Sequence, residues 1–148
     1  MSLADIEAYL HQHIPISAGM GVRVVACDPQ GVTLQAPLAP NINHRATVFG
    51  GSASAVAILA AWTYLHFSLG AAELPSRLVI QRNTIDYLEP IAGDFEARCD
   101  ALPVAALEEF LRTRRRHGKA RVTLEAALVC GGVKVAAFSG EYVAVKLR

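Results

Sequence analysis

The sequence predicts an α+β fold: a mainly antiparallel sheet of about six strands curved around one long, apolar central helix. Three observations lead there. Several segments alternate apolar and polar residues with a period of two, as half-buried strands do. The connections between them are mostly tight turns, too short for parallel crossovers. One run, Phe49 to Ala72, contains no Asp, Glu, Lys or Arg, and a helix apolar on every side needs protein or lipid around it.

Taken in order, the opening "MSLADIEAYLHQHIP" reads as a short amphipathic helix with Ser2 and Asp5 as a capping box and Leu3, Ile6 and Leu10 on one face. It lacks the basic start and unbroken apolar stretch of a signal peptide. "MGVRVVACDPQGVTLQAPL" reads as a hairpin that turns at Asp28-Pro29-Gln30-Gly31. A loop from Pro37 to Asn43 leads into the charge-free helix. Two strands follow, "RLVIQRNTIDYLEP" and "GDFEARCDA", the second alternating strictly with Phe95, Ala97, Cys99 and Ala101 inward. Pro103 opens a second amphipathic helix, about 105–117, with Leu107, Phe110 and Leu111 as its apolar side. The strands "KARVTLEAALVC" and "VKVAAFSGEYVAVKL" then form a hairpin across Gly131-Gly132. No repeat, low-complexity segment or linker interrupts the chain, so the expectation is one domain over residues 1–148.

Composition narrows the functional classes. The chain is 53% hydrophobic and 18% charged, apolar enough to predict that it hides surface in an oligomer. A formal net charge of +1 and the absence of aromatics among the basic residues argue against nucleic acid. Cys27, Cys99 and Cys130 have no metal-ligand spacing and read as reduced thiols of a cytosolic protein; no metal or cofactor is expected. The charge-free run could pass for a membrane span by length. However, it starts Gly-Gly-Ser-Ala-Ser, is poor in the residues lipid favours at that end, and lacks a flanking Lys/Arg cluster. A helix wrapped by the sheet is the expected outcome.

The start of that helix carries the chemistry. Its first backbone N–H groups have no partner within the helix and lie at the positive end of the helix dipole. Gly50 and Gly51 let a ligand come close to them, so both are candidate oxyanion donors. Asn43 is a candidate to hold a water or a carbonyl through its amide, although Asn near proline is also a common turn residue. Ser54 and Ser52, in the first turns, are candidates to hydrogen-bond water or substrate. Phe49, with Val56, Leu59 and Trp62, would line an apolar pocket. The run "RTRRRHGKAR", with Arg114, Arg115 and Arg116 at its centre, suits phosphate groups or the acidic surface of a carrier protein, and equally a solvated helix end.

With "FGGS" at 49–52, Asn43, Thr47 and the phrase "IDYLEPIAGDFEARC" at 85–99, the chain resembles the hotdog fold. Within it, the resemblance is to the thioesterase domain found fused behind an acetyltransferase in some bacteria. It runs from about residue 14 to 145. It implies hydrolysis of an acyl thioester of coenzyme A or acyl carrier protein by a homodimer or dimer of dimers, with the pocket between subunits. The pattern departs at two places. Well-understood hotdog thioesterases often have a histidine before the two glycines and an acidic residue on the helix; here Phe49 stands in the first position, and Val56, Ala57 and Ile58 in the second region. A carboxylate would have to come from elsewhere, Asp86 or Glu89. The alternative is a non-catalytic acyl-CoA or acyl-carrier-protein binder. A hydratase would need an acid near Asn41 and His44 that the sequence does not supply.

Overall fold

The computed structural model describes all 148 residues. Helix α1 spans Leu3–His13, a one-turn helix α2 spans Ile16–Gly19, and strands β1 (Arg23–Asp28) and β2 (Gly31–Ala36) form the first hairpin. Helix α3 runs over Gly50–Ala71, followed by β3 (Ser76–Tyr87), β4 (Phe95–Asp100), α4 (Val104–His117), β5 (Lys119–Cys130) and β6 (Val133–Lys146). All strand pairs are antiparallel, in the order β1-β2-β4-β5-β6-β3. The expected fold is the observed one.

Local chemistry explains the elements. Ser2 and Asp5 exchange side-chain and backbone hydrogen bonds at 3.1 and 3.0 Å and start α1 as a capping box. The β5–β6 hairpin pairs Cys130 with Val133 across Gly131 and Gly132, whose φ values of +57° and +77° are those a two-residue turn demands. Two short pieces go beyond the expectation. Pro15 both ends α1 and starts α2, because its fixed φ suits the N-terminus of a helix. The Pro37–Asn43 loop contains a 3-10 turn over Ala39–Asn41.

Helix α3 is long and apolar enough to cross a membrane by length and composition alone. In the fold it is the core. Ala53, Val56, Ala57, Ala60, Ala61 and Leu65 are fully buried, against Leu34, Ala97, Leu124, Leu128 and Phe138 of the sheet. The alanines let strands come close, and the polar tips of buried aromatics find carbonyls. Tyr142 donates to the Ile58 carbonyl at 2.6 Å and Trp62 to the Leu78 carbonyl at 3.0 Å. These bonds fix α3 in rotation and depth, and so fix where its first turn emerges. Strand β3 lies outside β6, pairs with it alone and is an open edge of the sheet.

Candidate active site at the start of the central helix

The first turn of α3 emerges between the 43–49 loop and the end of β3. Phe49 is its N-cap, and no side chain caps it. The first N–H with a helical partner is that of Ala53, which donates to the Phe49 carbonyl. The N–H groups of Gly50, Gly51 and Ser52 therefore point out of the helix end, where the dipole favours negative charge.

Each glycine has a steric reason. A Cβ on Gly51 would lie 2.5 Å from the Phe49 ring, which covers its Cα. A Cβ on Gly50 would lie 3.3 Å from the Tyr87 hydroxyl, which donates to the Gly50 carbonyl at 2.7 Å. Tyr87 was not among the residues the sequence singled out for chemistry. Its only signal was its place in the Tyr-x2-Pro-x2-Gly-Asp phrase, which says nothing about the 37-residue separation that the fold closes. Partial burial holds its hydroxyl above the ordinary tyrosine pKa, so it stays a donor at neutral pH.

Asn43 makes its side-chain hydrogen bonds within its own loop. Its Oδ1 accepts from the N–H groups of Arg45 and Thr47 at 2.8 and 3.2 Å, and its Nδ2 donates to Thr47 Oγ1 at 2.8 Å and to the Val48 carbonyl at 3.4 Å. The Asn43 backbone carbonyl accepts from the N–H of Ala46, which sits at φ +61°. Asn41 is buried and donates to the carbonyls of Met20 and Pro37, while its backbone carbonyl receives the Phe49 N–H at 2.7 Å. The two asparagines thus set the loop that places Phe49. His44 and Arg45 are exposed on it.

Ser52 and Ser54 are half-buried. Ser54 lies one turn above Gly50, on the same face of the helix, whereas Ser52 projects to another side. Of the expected apolar lining, Phe49 is 58% exposed, but Val56 and Leu59 are buried core and Trp62 stacks on His66. The apolar surface at this end is instead Phe49, Ile42, Tyr87 and Leu88, each about half exposed.

Two other expectations divide. Asp86 is exposed on the outer face of the sheet, opposite Ala137, while its neighbour Tyr87 takes the side facing α3. The basic cluster is not one surface patch. Arg114 is 3% exposed, with Nε on Ser76 Oγ and Nη2 on the Pro75 carbonyl, both at 2.8 Å. It sits four residues after buried Phe110, on the inner face of α4. Arg115 and Arg116 are exposed, and Arg115 reaches the Ala72 carbonyl at the far end of α3. That end is about 33 Å from Gly50, at 1.5 Å per residue over the helix. An apolar cavity of about 350 Å³, lined by Ile6, Cys27, Val32, Tyr64, Phe67 and Leu107 among others, also lies toward that far end.

Residues 3–146 match the sequence family described as "Putative thioesterase (yiiD_Cterm)". The chain belongs to this family. Solved structures agree with the membership. One, from Shewanella oneidensis and described as a "putative thioesterase", is 28% identical with a TM-score of 0.81, covering 97% of this chain and 96% of that one. A protein of unknown function from Chlorobaculum tepidum is 29% identical with a TM-score of 0.93, covering 97% and 94%. A mutant thioesterase from Pseudomonas aeruginosa, at 13% identity, shares the fold with a TM-score of 0.78 over 99% and 96% of the two chains. In this thioesterase family member, then, the glycine pair opens an uncapped helix beneath a tyrosine hydroxyl.

Proposed function

We propose that the chain hydrolyses an acyl thioester of coenzyme A or acyl carrier protein at the start of α3. The observation that carries this reading is the set of uncapped N–H groups at Gly50, Gly51 and Ser52, beside exposed Phe49, Tyr87 and Leu88. The apolar side chains take the acyl group. The thioester carbonyl oxygen lies against the N–H groups of Gly50 and Gly51, and water adds to the carbonyl carbon. The oxygen then carries the negative charge that the helix end stabilises, the added water gives up one proton to solvent, and collapse of the adduct breaks the C–S bond, leaving the carboxylic acid and a thiolate that takes a proton back from solvent. Ser54, above Gly50, is positioned to orient the water. Asn43 contributes by holding the loop.

Arg115 and Arg116 are too far from Gly50 to reach the phosphates of the same ligand within one chain. In a homodimer they need not be. Strand β3 is 12 residues long, mostly exposed and paired only with β6, an open edge of the kind that pairs with another chain. Antiparallel β3–β3 pairing sets the two α3 helices antiparallel, bringing the basic end of one subunit toward the Gly50 end of the other. A dimer of dimers extends the same arrangement.

A non-catalytic acyl-thioester binder is the second reading. It is favoured by one observation: α3 holds no carboxylate, and Asp86 faces away from its start. Thiol release from a panel of acyl-CoA and acyl-carrier-protein thioesters separates the two. Turnover that Gly51→Val abolishes supports hydrolysis. Ligand-induced thermal stabilisation without turnover supports the binder.

A further inference from the structure

The apolar cavity toward the far end of α3 takes no part in hydrolysis at Gly50. Its floor is one stripe of α3, Tyr64, Phe67, Ser68 and Ala71, at the i, i+3, i+4, i+7 spacing that shares a helix face. Tyr64 is about 21 Å along the helix from Gly50, and Ala71 about 32 Å. Ser68 and Ala71 are small, and Ile6 of α1, Leu107 of α4 and Val32 of β2 wall the space without filling it. Strands β1 and β2 lie at the opposite edge of the sheet from β3. A single chain therefore completes the cavity, whatever β3 pairs with.

Size and polarity restrict the occupant. A volume of about 350 Å³ is more than twice the ~150 Å³ apolar cavity that admits benzene, enough for a hydrocarbon chain of several carbons. The polar groups of the floor are satisfied within the chain. Ser68 Oγ donates to the Tyr64 carbonyl at 2.7 Å, and the Tyr64 hydroxyl accepts from the Leu102 N–H at 3.1 Å.

Asp28 is the exception, exposed at the mouth beside Pro29. One carboxylate oxygen accepts from the Gln30 N–H at 2.7 Å, and no cation pairs with the group. The bases near the two ends are turned elsewhere: Arg98 pairs with Glu96, and Arg115 reaches the Ala72 carbonyl. Asp100, which borders the same turn, adds a second negative charge. The field of Asp28 reaches inside. Cys27, in the cavity wall, has its thiol held above the ordinary value by burial first and by Asp28 second. Negative charge at the mouth and an apolar interior suit a cation with a hydrocarbon tail and disfavour a fatty carboxylate.

We propose that this cavity binds an apolar amine, with the hydrocarbon between Ile6, Val32, Phe67 and Leu107 and the ammonium on Asp28. The amine binds whether or not the chain turns over a thioester. The test uses octylamine, with octanol and octanoate as neutral and anionic matches of the same chain. Binding is followed by thermal shift and by the rate at which iodoacetamide labels Cys27, with circular dichroism to confirm that variants fold. Octylamine should bind saturably, raise the melting temperature, and slow Cys27 labelling about tenfold at ten times its Kd. Octanol should bind more weakly, and octanoate weakest. Ala71→Trp, at an exposed rim position, and Leu107→Trp, from the opposite wall, should each abolish binding. Asp28→Asn should lower octylamine affinity about two- to fivefold, the worth of one exposed charge pair, and remove its advantage over octanol. Labelling that octylamine does not slow, or binding that both tryptophan variants leave unchanged, overturns the proposal. Octanoate binding as tightly as octylamine overturns the ligand class. Cys27 labelling that slows with protein concentration alone assigns the cavity to a second copy of the chain, and overturns the proposal as well.

Discussion

The Tyr87 hydroxyl donates to the Gly50 carbonyl at 2.7 Å, joining the end of β3 to the first turn of α3. An interior helical carbonyl is already occupied, so this bond adds little to the helix itself. What it does is hold the helix end against the sheet while leaving the N–H groups of that turn free. Tyr87→Phe should therefore cost less than about 1 kcal/mol of stability, as expected for one partly exposed hydrogen bond. Turnover should fall about tenfold through kcat with KM little changed, because a positioning bond is felt when charge develops. Steady-state kinetics beside a melting curve checks both halves.

Gly51→Ala separates helix stability from site geometry. The new methyl would meet the Phe49 ring at 2.5 Å, but that ring is mostly exposed and free to swing. Helix propensity gained offsets strain, so stability should stay within about 1 kcal/mol. The displaced ring should disturb acyl-thioester binding. Adding Phe49→Ala to Gly51→Ala should relieve the clash, leaving the pair better than the sum of the singles. A double-mutant cycle on ligand affinity reads this directly.

Arg114 and its neighbours look alike in sequence and differ in the fold. Removing the Arg114 guanidinium leaves the Ser76 hydroxyl and Pro75 carbonyl without their partner. Arg114→Ala should cost roughly 2–3 kcal/mol, in the range for hydrogen bonds made by a charged group. Arg115→Ala and Arg116→Ala should each stay within about 0.5 kcal/mol. Reversal of both, Arg115→Glu with Arg116→Glu, should instead weaken coenzyme A thioester binding, an effect that salt should diminish. Urea titrations and binding at two ionic strengths distinguish the two roles.

Most of the architecture was legible because period-two alternation, Gly-Gly turns and the charge-free run are local signals. Site chemistry was less so. That Asn43 spends its amide within its own loop depends on where Thr47 and Val48 fold back. That Arg114 points inward follows from its spacing to Phe110, a clue outweighed by the density of charge around it. Tyr87 reaches Gly50 only after the whole of α3 has crossed the sheet, a relation no local pattern encodes.

Cys99 should be silent toward thiol reagents. Burial, and secondarily the Asp100 carboxylate, pushes its thiol up to about 12, so almost no thiolate exists at neutral pH, and thiolate is the reactive form. Burial raises Cys27 as well, though it is half-buried. Iodoacetamide labelling followed by peptide mass analysis should modify Cys99 last, and only as fast as the fold opens. Labelling of Cys99 as rapid as that of Cys27 in native protein would contradict its placement against the core.

His66 should give the fold an acid sensitivity. Its ring stacks on Trp62 at 4.6 Å and on Tyr9 at 5.0 Å, and the Tyr9 ring also meets that of His13, tilted, at 4.2 Å. Burial first, and the positive charge of His13 second, lower its pKa below the ordinary histidine value of 6.5. The sign follows from proton binding. Below pH 6.5 the unfolded chain protonates this histidine while the folded one resists, so the unfolded state gains protons and stability falls. The loss begins near pH 6.5 and ends once pH drops through the lowered folded value, where both states are charged. His66→Phe keeps the aromatic stack and removes the titration. Its stability should therefore be flatter than wild type between about pH 6.5 and 5. Urea unfolding across that range is the measurement, and a wild-type slope that His66→Phe leaves unchanged would assign the acid sensitivity to other groups.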